Sequence, residues 1–239
     1  CPPEDVCAFV AEPIQGEGGY VIPPEGYFQR LAALAERYGI LLILDEVQSG
    51  MGRTGKMFAI EHWGVKPDMV AIAKGVASGM PLGALVARSS LMEWDPGSHA
   101  STFGGNPLSC AAALKTIELL EKGLIENAAR LGRHMLDRLS KLVKSHALVG
   151  EVRGKGLMIG VEIVEDQETK KPAPKERDWL VQECFRRGLL ILGAGQTTAR
   201  FSPPLIVSKR EADQALAIFE ECLEVVETHR SSRPRSKEG

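Results

Sequence analysis

Asp45 closes the apolar run ILLILD (residues 40–45), and 29 residues further on Lys74 stands at the end of DMVAIAKG (residues 68–75). An acid at the carboxyl end of a buried strand lies where open α/β sheets bind ligands. A lysine between Ala73 and Gly75, which have no polar group to shield an ammonium, is expected to be desolvated and nucleophilic. Together the two suit pyridoxal phosphate chemistry, in which a carboxylate keeps the pyridinium nitrogen protonated and an amine carries the cofactor aldehyde. For two isolated residues, an ordinary strand-end acid and a snorkelling lysine is the favoured reading.

Between them, GMGRTGK (residues 50–56) offers two phosphate-loop patterns at once. Gly50, Gly52 and Gly55 spell G-x-G-x-x-G, while Gly50, Gly55 and Lys56 spell most of a P-loop. The dinucleotide pattern needs its first glycine directly after the strand, and here Glu46-Val47-Gln48-Ser49 intervenes. The P-loop pattern needs a Ser or Thr hydroxyl for magnesium where Met57 stands. Both matches read as accidental, and the glycines are expected to shape an irregular loop.

The elements that would carry these residues follow from the apolar pattern. VCAFVA (6–11), ILLILD, DMVAIAKG and LGALVAR (82–88) read as short strands, with a helix over EGYFQRLAALAERY stopped at Gly39. The continuous run ILLILD predicts a parallel strand buried on both faces, and the alternation predicts an α/β layer with a mostly parallel sheet. LSCAAALKTIELLE and residues 124–145 read as helices interrupted at Gly123. GEVRGKGLMIGVEIVED then reads as alternating strands, followed by a helix over DWLVQECFRRG, a strand LLILG and an amphipathic helix KREADQALAIFEECLEVVE. That change to α+β texture places a boundary near residue 122, giving units 1–122 and 123–239, with a frayed tail from Thr228.

Composition excludes several classes. With 44% hydrophobic residues and a net charge of −2, a globular protein with small-molecule or protein partners is expected, without a nucleic-acid or anionic-membrane footprint. The five cysteines are scattered, with no C-x-x-C pair and no histidine at ligand spacing, so neither a disulfide framework nor a metal site is expected. Reduced thiols and no signal-like N-terminus give a cytoplasmic expectation. The absent initiator Met and a strand at the opening residues read as a fragment.

The motifs around Asp45 and Lys74 reverse the first reading. DEVQSGMGRTGKMFAIEHWGVKPDMVAIAKGVASGMPLGALVA resembles, nearly position for position, the cofactor-lysine signature of class III pyridoxal-phosphate aminotransferases. EPIQGEGGYVIPPEGYFQRL and SHASTFGGNPLSCAAAL resemble that family's flanking blocks, and the resemblance runs from about residue 6 to residue 228. The 4-aminobutyrate and acetylornithine aminotransferases are the nearest named relatives. The resemblance implies fold type I, with a partial large domain followed by a small C-terminal domain. It implies a homodimer with active sites at the subunit interface, and amino transfer from an ω-amino acid or related amine to a 2-oxo acid.

By the same resemblance Lys74 corresponds to the Schiff-base lysine and Asp45 to the partner of the ring nitrogen. Val47 corresponds to the residue packed on one ring face, Gln48 to the donor near the phenolic oxygen, and Thr102 to the hydroxyl reaching the neighbouring subunit's cofactor phosphate. Arg200 resembles the arginine that receives the substrate carboxylate, Glu17 its switchable acid partner, and Glu12 a second acid near the cofactor. Read on their own, Arg200 caps a strand before Pro203-Pro204 and the two glutamates are loop acids. Cys110, His62 and His99 read as structural or solvent-facing.

Two departures qualify the resemblance. Met80 stands where relatives carry an aromatic, and family members are nearly twice as long. Their N-terminal half supplies the glycine-rich phosphate loop and the aromatic on the other ring face, so this chain is expected to hold only part of the cofactor site. A racemase on the same scaffold and a non-catalytic fragment are the rival readings.

Overall fold

The computed structural model describes residues 2–232, and they fall into two compact units. The first runs to Ile14 and resumes over Ile22–Ala129; the second takes Gln15–Val21 and everything described from Arg130 onward. Cys1 and the end of the basic tail lie outside the described residues.

In the first unit, β1 (Ala8–Ala11), β2 (Leu41–Asp45), β3 (Met69–Ile72) and β4 (Ala84–Ala87) form one sheet in that order. The first three run parallel and β4 is antiparallel to β3. Helix α1 (Tyr27–Tyr38) makes the crossover between β1 and β2. It stops because Gly39 adopts φ 68°, which lets the Ile40 N–H reach back to the Ala35 carbonyl at 2.9 Å. Its inner face buries Phe28 and Ala35 against Ile40, Leu42, Leu44 and Ile60. Complete burial of Phe28 contributes about 2–3 kcal/mol. Strand β2 alternates, with Leu42 and Leu44 buried and Leu41, Ile43 and Asp45 only partly so. The run ILLILD is therefore closed on one face rather than both, because the α1 core covers only the Leu42–Leu44 side.

The glycine-rich stretch is an irregular loop, with Met51, Gly52 and Gly55 all at positive φ. A Cβ on Gly55 would lie 2.8 Å from that of Ala129, so only glycine fits there. Helix α2 (Pro107–Leu119) is capped by Asn106, whose Oδ1 accepts the Leu108 and Ser109 N–H groups. A π-type turn at Leu120–Leu124, with Gly123 at φ 132°, leads into α3 (Ile125–Ser145). The boundary read from composition falls at this turn, whereas the contact-based units divide after Ala129. Large apolar side chains remain exposed on both edge strands (Val10, Val86) and on α2 (Leu108, Leu114).

The second unit is an antiparallel sheet in the order β5 (Val149–Lys155), β6 (Met158–Ile163), β8 (Thr198–Phe201), β7 (Leu192–Ala194). Helix α3 offers it an apolar stripe of Leu131, Met135, Leu139 and Leu142, spaced at helical period. Gly132 is required on that stripe, since a Cβ would come within 2.1 Å of the Gly156 carbonyl oxygen. Helix α4 (Pro174–Arg186) packs on β6, β7, β8 and α5 (Lys209–Ser232), and Phe219 of α5 meets Phe201 edge to face at 4.9 Å.

Two expectations shift here. The strand read from LLILG begins only at Leu192, because Gly188 adopts φ 83° and the Leu189 N–H returns to the Cys184 carbonyl to close α4. The tail read as frayed from Thr228 is helical to Ser232, and its last turn places His229 and Arg230 at the negative end of the helix dipole. Among the described residues no helix is long and apolar enough to cross a membrane.

Candidate active site

Three predicted residues leave the carboxyl ends of three neighbouring parallel strands. Glu12 follows β1, Asp45 ends β2, and Lys74 lies two residues beyond β3. In register, Ala11 pairs with Leu44 and Asp45 with Ala71, so strand pairing sets the three ends side by side. This is the edge at which open α/β sheets bind ligands.

Asp45 is half-buried, and its Oδ1 accepts the Val47 N–H at 2.9 Å. Its Oδ2 accepts no hydrogen bond among the described residues. That bond turns the chain so that Val47 and Gln48, both half-buried, follow directly. Lys74 opens a short 3-10 turn, Lys74–Ala77, at φ 44°. A non-glycine residue in this region is strained, and such strain concentrates at functional sites. Among the described residues the ammonium forms no ion pair. The side chain is exposed, in contrast to the expected desolvation: Ala73 and Gly75 are too small to cover a lysine, and no element among the described residues does so.

Glu46, missed from sequence, is the fully buried acid that holds this turn. Oε1 accepts the Ile60 N–H at 2.8 Å, and Oε2 accepts the Ser49 hydroxyl at 2.6 Å. It thereby ties both ends of the Val47–Ala59 loop together. Burial pushes its carboxyl above the ordinary value of 4.5, against hydrogen bonds from Ser49, Ile60 and Ala59 that lower it. An acid with a raised native pKa holds its proton more tightly folded than unfolded. Its stabilising share is complete below about 4.5 and is lost as pH rises through the native value. Glu46→Gln keeps the shape and removes the titration, so the variant's melting temperature should gain on the wild type between pH 5 and pH 8. Thermal unfolding of the purified chain across that range checks this; parallel curves would show that Glu46 ionises normally.

Thr102 is exposed on the turn Ser101–Gly104 that precedes α2, and it makes no hydrogen bond among the described residues. His62, read as structural, contacts the Thr54 carbonyl and hydroxyl at 3.1 Å.

The other predicted pair belongs wholly to the second unit. Arg200 on β8 donates from Nη1 to Glu17 Oε1 at 2.6 Å, with its guanidinium 6.0 Å from the Tyr20 ring centroid. The arginine side chain is 17% exposed and the glutamate 72%, so the acid is the more solvent-facing partner. Beneath them lies a network that sequence reading also missed, centred on Arg153 of β5. It bonds to Glu162 Oε2 at 2.5 Å and to Thr198 Oγ1 at 2.9 Å. Burial works to raise the Glu162 carboxyl, but hydrogen bonds from Thr197, Arg153 and Thr198 outweigh it and hold the group below its ordinary value. The signal was present for Glu162, a charge inside the otherwise apolar strand run MIGVEI, whereas Arg153 lies between other charges in VGEVRGK.

Residues 2–223 match the class III aminotransferase family. The leucine/methionine racemase of Thermococcus litoralis is 45% identical over 95% of this chain and 52% of its own length. An acetylornithine aminotransferase of Gloeobacter violaceus is 45% identical over 89% of the chain and 52% of its own length. Among solved structures, a transaminase from a marine Virgibacillus superposes with a TM-score of 0.91 at 36% identity, over 95% of this chain and 55% of that one. The chain thus spans about half the length of the curated relatives it matches. The chain covers about half of a fold type I architecture, and the class III family is pyridoxal-phosphate-dependent. The chain belongs to the class III aminotransferase family.

Proposed function

We propose that the protein carrying this chain transfers an amino group from an ω-amino acid or related amine to a 2-oxo acid, using pyridoxal phosphate and acting as a homodimer. One observation carries the reading: at adjacent strand ends an acid oxygen, Asp45 Oδ2, and an amine, Lys74 Nζ, have no hydrogen-bond or ion-pair partner among the described residues. These fit the cofactor's protonated ring nitrogen and its aldehyde. When bound, the cofactor supplies an electron sink for charge developing at the substrate carbon.

The chain's own residues supply the rest. Asp45 would keep the ring nitrogen protonated, while the Lys74 amine would take a proton from the carbon of the amino donor and, in the second half-reaction, deliver one to the carbon of the 2-oxo acid. Val47 would lie on one ring face and Gln48 near the phenolic oxygen. Thr102 would serve the phosphate of the neighbouring subunit, and Glu12 is a second acid at the same sheet edge. Arg200 receives a substrate carboxylate by a bidentate bond once Glu17 yields it. The exposed apolar side chains on both edge strands and α2 call for covering surfaces, which on this reading the remainder of the polypeptide and a second copy would share. The free thiols of Cys7, Cys110, Cys184 and Cys222 support a cytoplasmic setting for the same reading.

A second reading, amino-acid racemisation, is favoured by the Thermococcus litoralis relative. The two reactions share the first proton removal and diverge in where the proton returns. The test uses the polypeptide carrying this chain at the length of its relatives. It is incubated with 4-aminobutyrate, ornithine or acetylornithine plus 2-oxoglutarate, and separately with L-leucine in deuterated water without a 2-oxo acid. Glutamate formation is the expected result; loss of optical activity in the second arm, with no glutamate in the first, would establish the racemase.

A further inference from the structure

Gln15–Val21 lies in sequence between two elements of the first unit, yet it folds as part of the second. Its internal backbone bonds include a Gln15–Val21 bridge and the Gly19 and Tyr20 N–H groups on the Gly16 carbonyl at 3.2 and 3.4 Å. Tyr20 at φ 55° takes a left-handed conformation uncommon for a non-glycine residue, next to Gly19 at φ 118°. The Gly195 N–H adds one bond, to the Glu17 carbonyl at 2.7 Å. The strongest hold comes from Arg153, whose Nη2 donates to the Gly19 carbonyl at 2.7 Å while Nε reaches the Gly19 and Tyr20 carbonyls at 3.2 Å.

That guanidinium is only 13% exposed. Glu162 and Thr198 fix it from the sheet side, and Glu151 Oε2 accepts from Nη1 at 3.0 Å. Thr198 Oγ1 also approaches the Gly19 carbonyl at 3.3 Å. Two residues before this anchor stands Glu17, whose exposed carboxylate meets Arg200. An ion pair with one partner this exposed is weak by itself. How often Glu17 occupies Arg200 therefore depends on where the loop backbone holds it.

We propose that Arg153 is a positioning residue for carboxylate selectivity: by clamping the Gly19 and Tyr20 carbonyls it holds Glu17 against Arg200, and so sets how readily an incoming carboxylate takes that guanidinium. The proposal rests on the reading that Arg200 receives the substrate carboxylate. Exchange of one carboxylate for another at one arginine is nearly balanced in contacts, so the effective concentration of the tethered acid decides it. Loosening the loop lowers that concentration and favours the external anion. Arg153→Lys keeps the charge beside Glu162 and loses the planar fork that spans two carbonyls.

The experiment measures glutarate binding by calorimetry in the cofactor-loaded polypeptide carrying this chain at the length of its relatives. Arg153→Lys is expected to tighten glutarate about threefold to tenfold and to lower the KM for 2-oxoglutarate with little change in kcat. Thr198→Val, which trims the same clamp without touching the arginine, is expected to move affinity the same way by less. In a Glu17→Gln background Arg153→Lys should do nothing, because the acid it positions has lost its charge. Equal shifts in both backgrounds, or weakened binding, would overturn the proposal. Glutarate affinity that depends on Arg200 but not on Arg153 would sink the positioning role alone. Affinity unchanged by Arg200→Gln would instead sink the reading on which it rests.

Discussion

Replacing Lys74 with alanine is expected to abolish amino transfer while leaving the fold in place. The lysine is exposed and forms no ion pair among the described residues, so little packing is lost. Alanine meets the same backbone strain at φ 44° that lysine already bears, so the turn gains no new cost from the substitution. What disappears is the amine that follows β3 beside Asp45 at the carboxyl edge of the parallel strands. Loss of a positioned proton carrier alone lowers the rate about 10²–10⁴-fold, and loss of the covalent attachment point adds to it. Borohydride reduction of the unaltered protein should leave the cofactor on a peptide containing Lys74. A label on any other lysine, or variant turnover above a tenth of the original, would remove Lys74 from its role.

The exposure of Lys74 bears on why the reaction needs more than these residues. Neighbouring sequence cannot say what covers a side chain; small residues such as Ala73 and Gly75 leave room around a lysine without excluding water from it. An amine that carries a substrate proton works best when water is excluded. On the proposed reading, a surface that covers this edge would belong to the mechanism as much as the lysine does.

How much could be read in advance depended on how local each determinant is. Strand β2 and the stop of α1 at Gly39 were legible because an apolar run and a left-handed glycine act within a few residues. The placement of Asp45 and Lys74 at adjacent strand ends followed once those strands were recognised as parallel. The start of β7 was not legible, since the backbone bonds that finish α4 consume the first residues of the apolar run LLILG. The Arg153 network was least legible of all. Its partners, Gly19, Glu162 and Thr198, are brought together only by sheet pairing and by the return of a distant loop. Glu46 was hidden differently: beside Asp45 it reads as one more acid, and only burial marks it as the residue that closes the loop.

Asp45→Asn is expected to separate the structural from the electrostatic work of the acid. Asparagine retains an oxygen that can accept the Val47 N–H, so the end of β2 and the entry of Val47 and Gln48 should persist. It removes the negative charge that the proposed reading sets opposite the cofactor nitrogen. With a neutral amide there, nothing holds that nitrogen protonated, and the developing charge at the substrate carbon loses its preorganised counterpart. Loss of one such electrostatic group costs about 10²–10³ in kcat, or roughly 3–4 kcal/mol of barrier. The melting temperature should stay close to that of the unaltered protein, and Asp45→Glu should recover part of the rate because it restores the charge at a longer reach. Cofactor should remain bound through Lys74 while its absorbance reports the changed protonation of the ring. The decisive measurement is the isotope effect with substrate deuterated at the reacting carbon: it should grow in Asp45→Asn as proton removal becomes slower than every other step. Turnover near the original rate with an unchanged isotope effect would mean that Asp45 serves only to turn the chain at the end of β2.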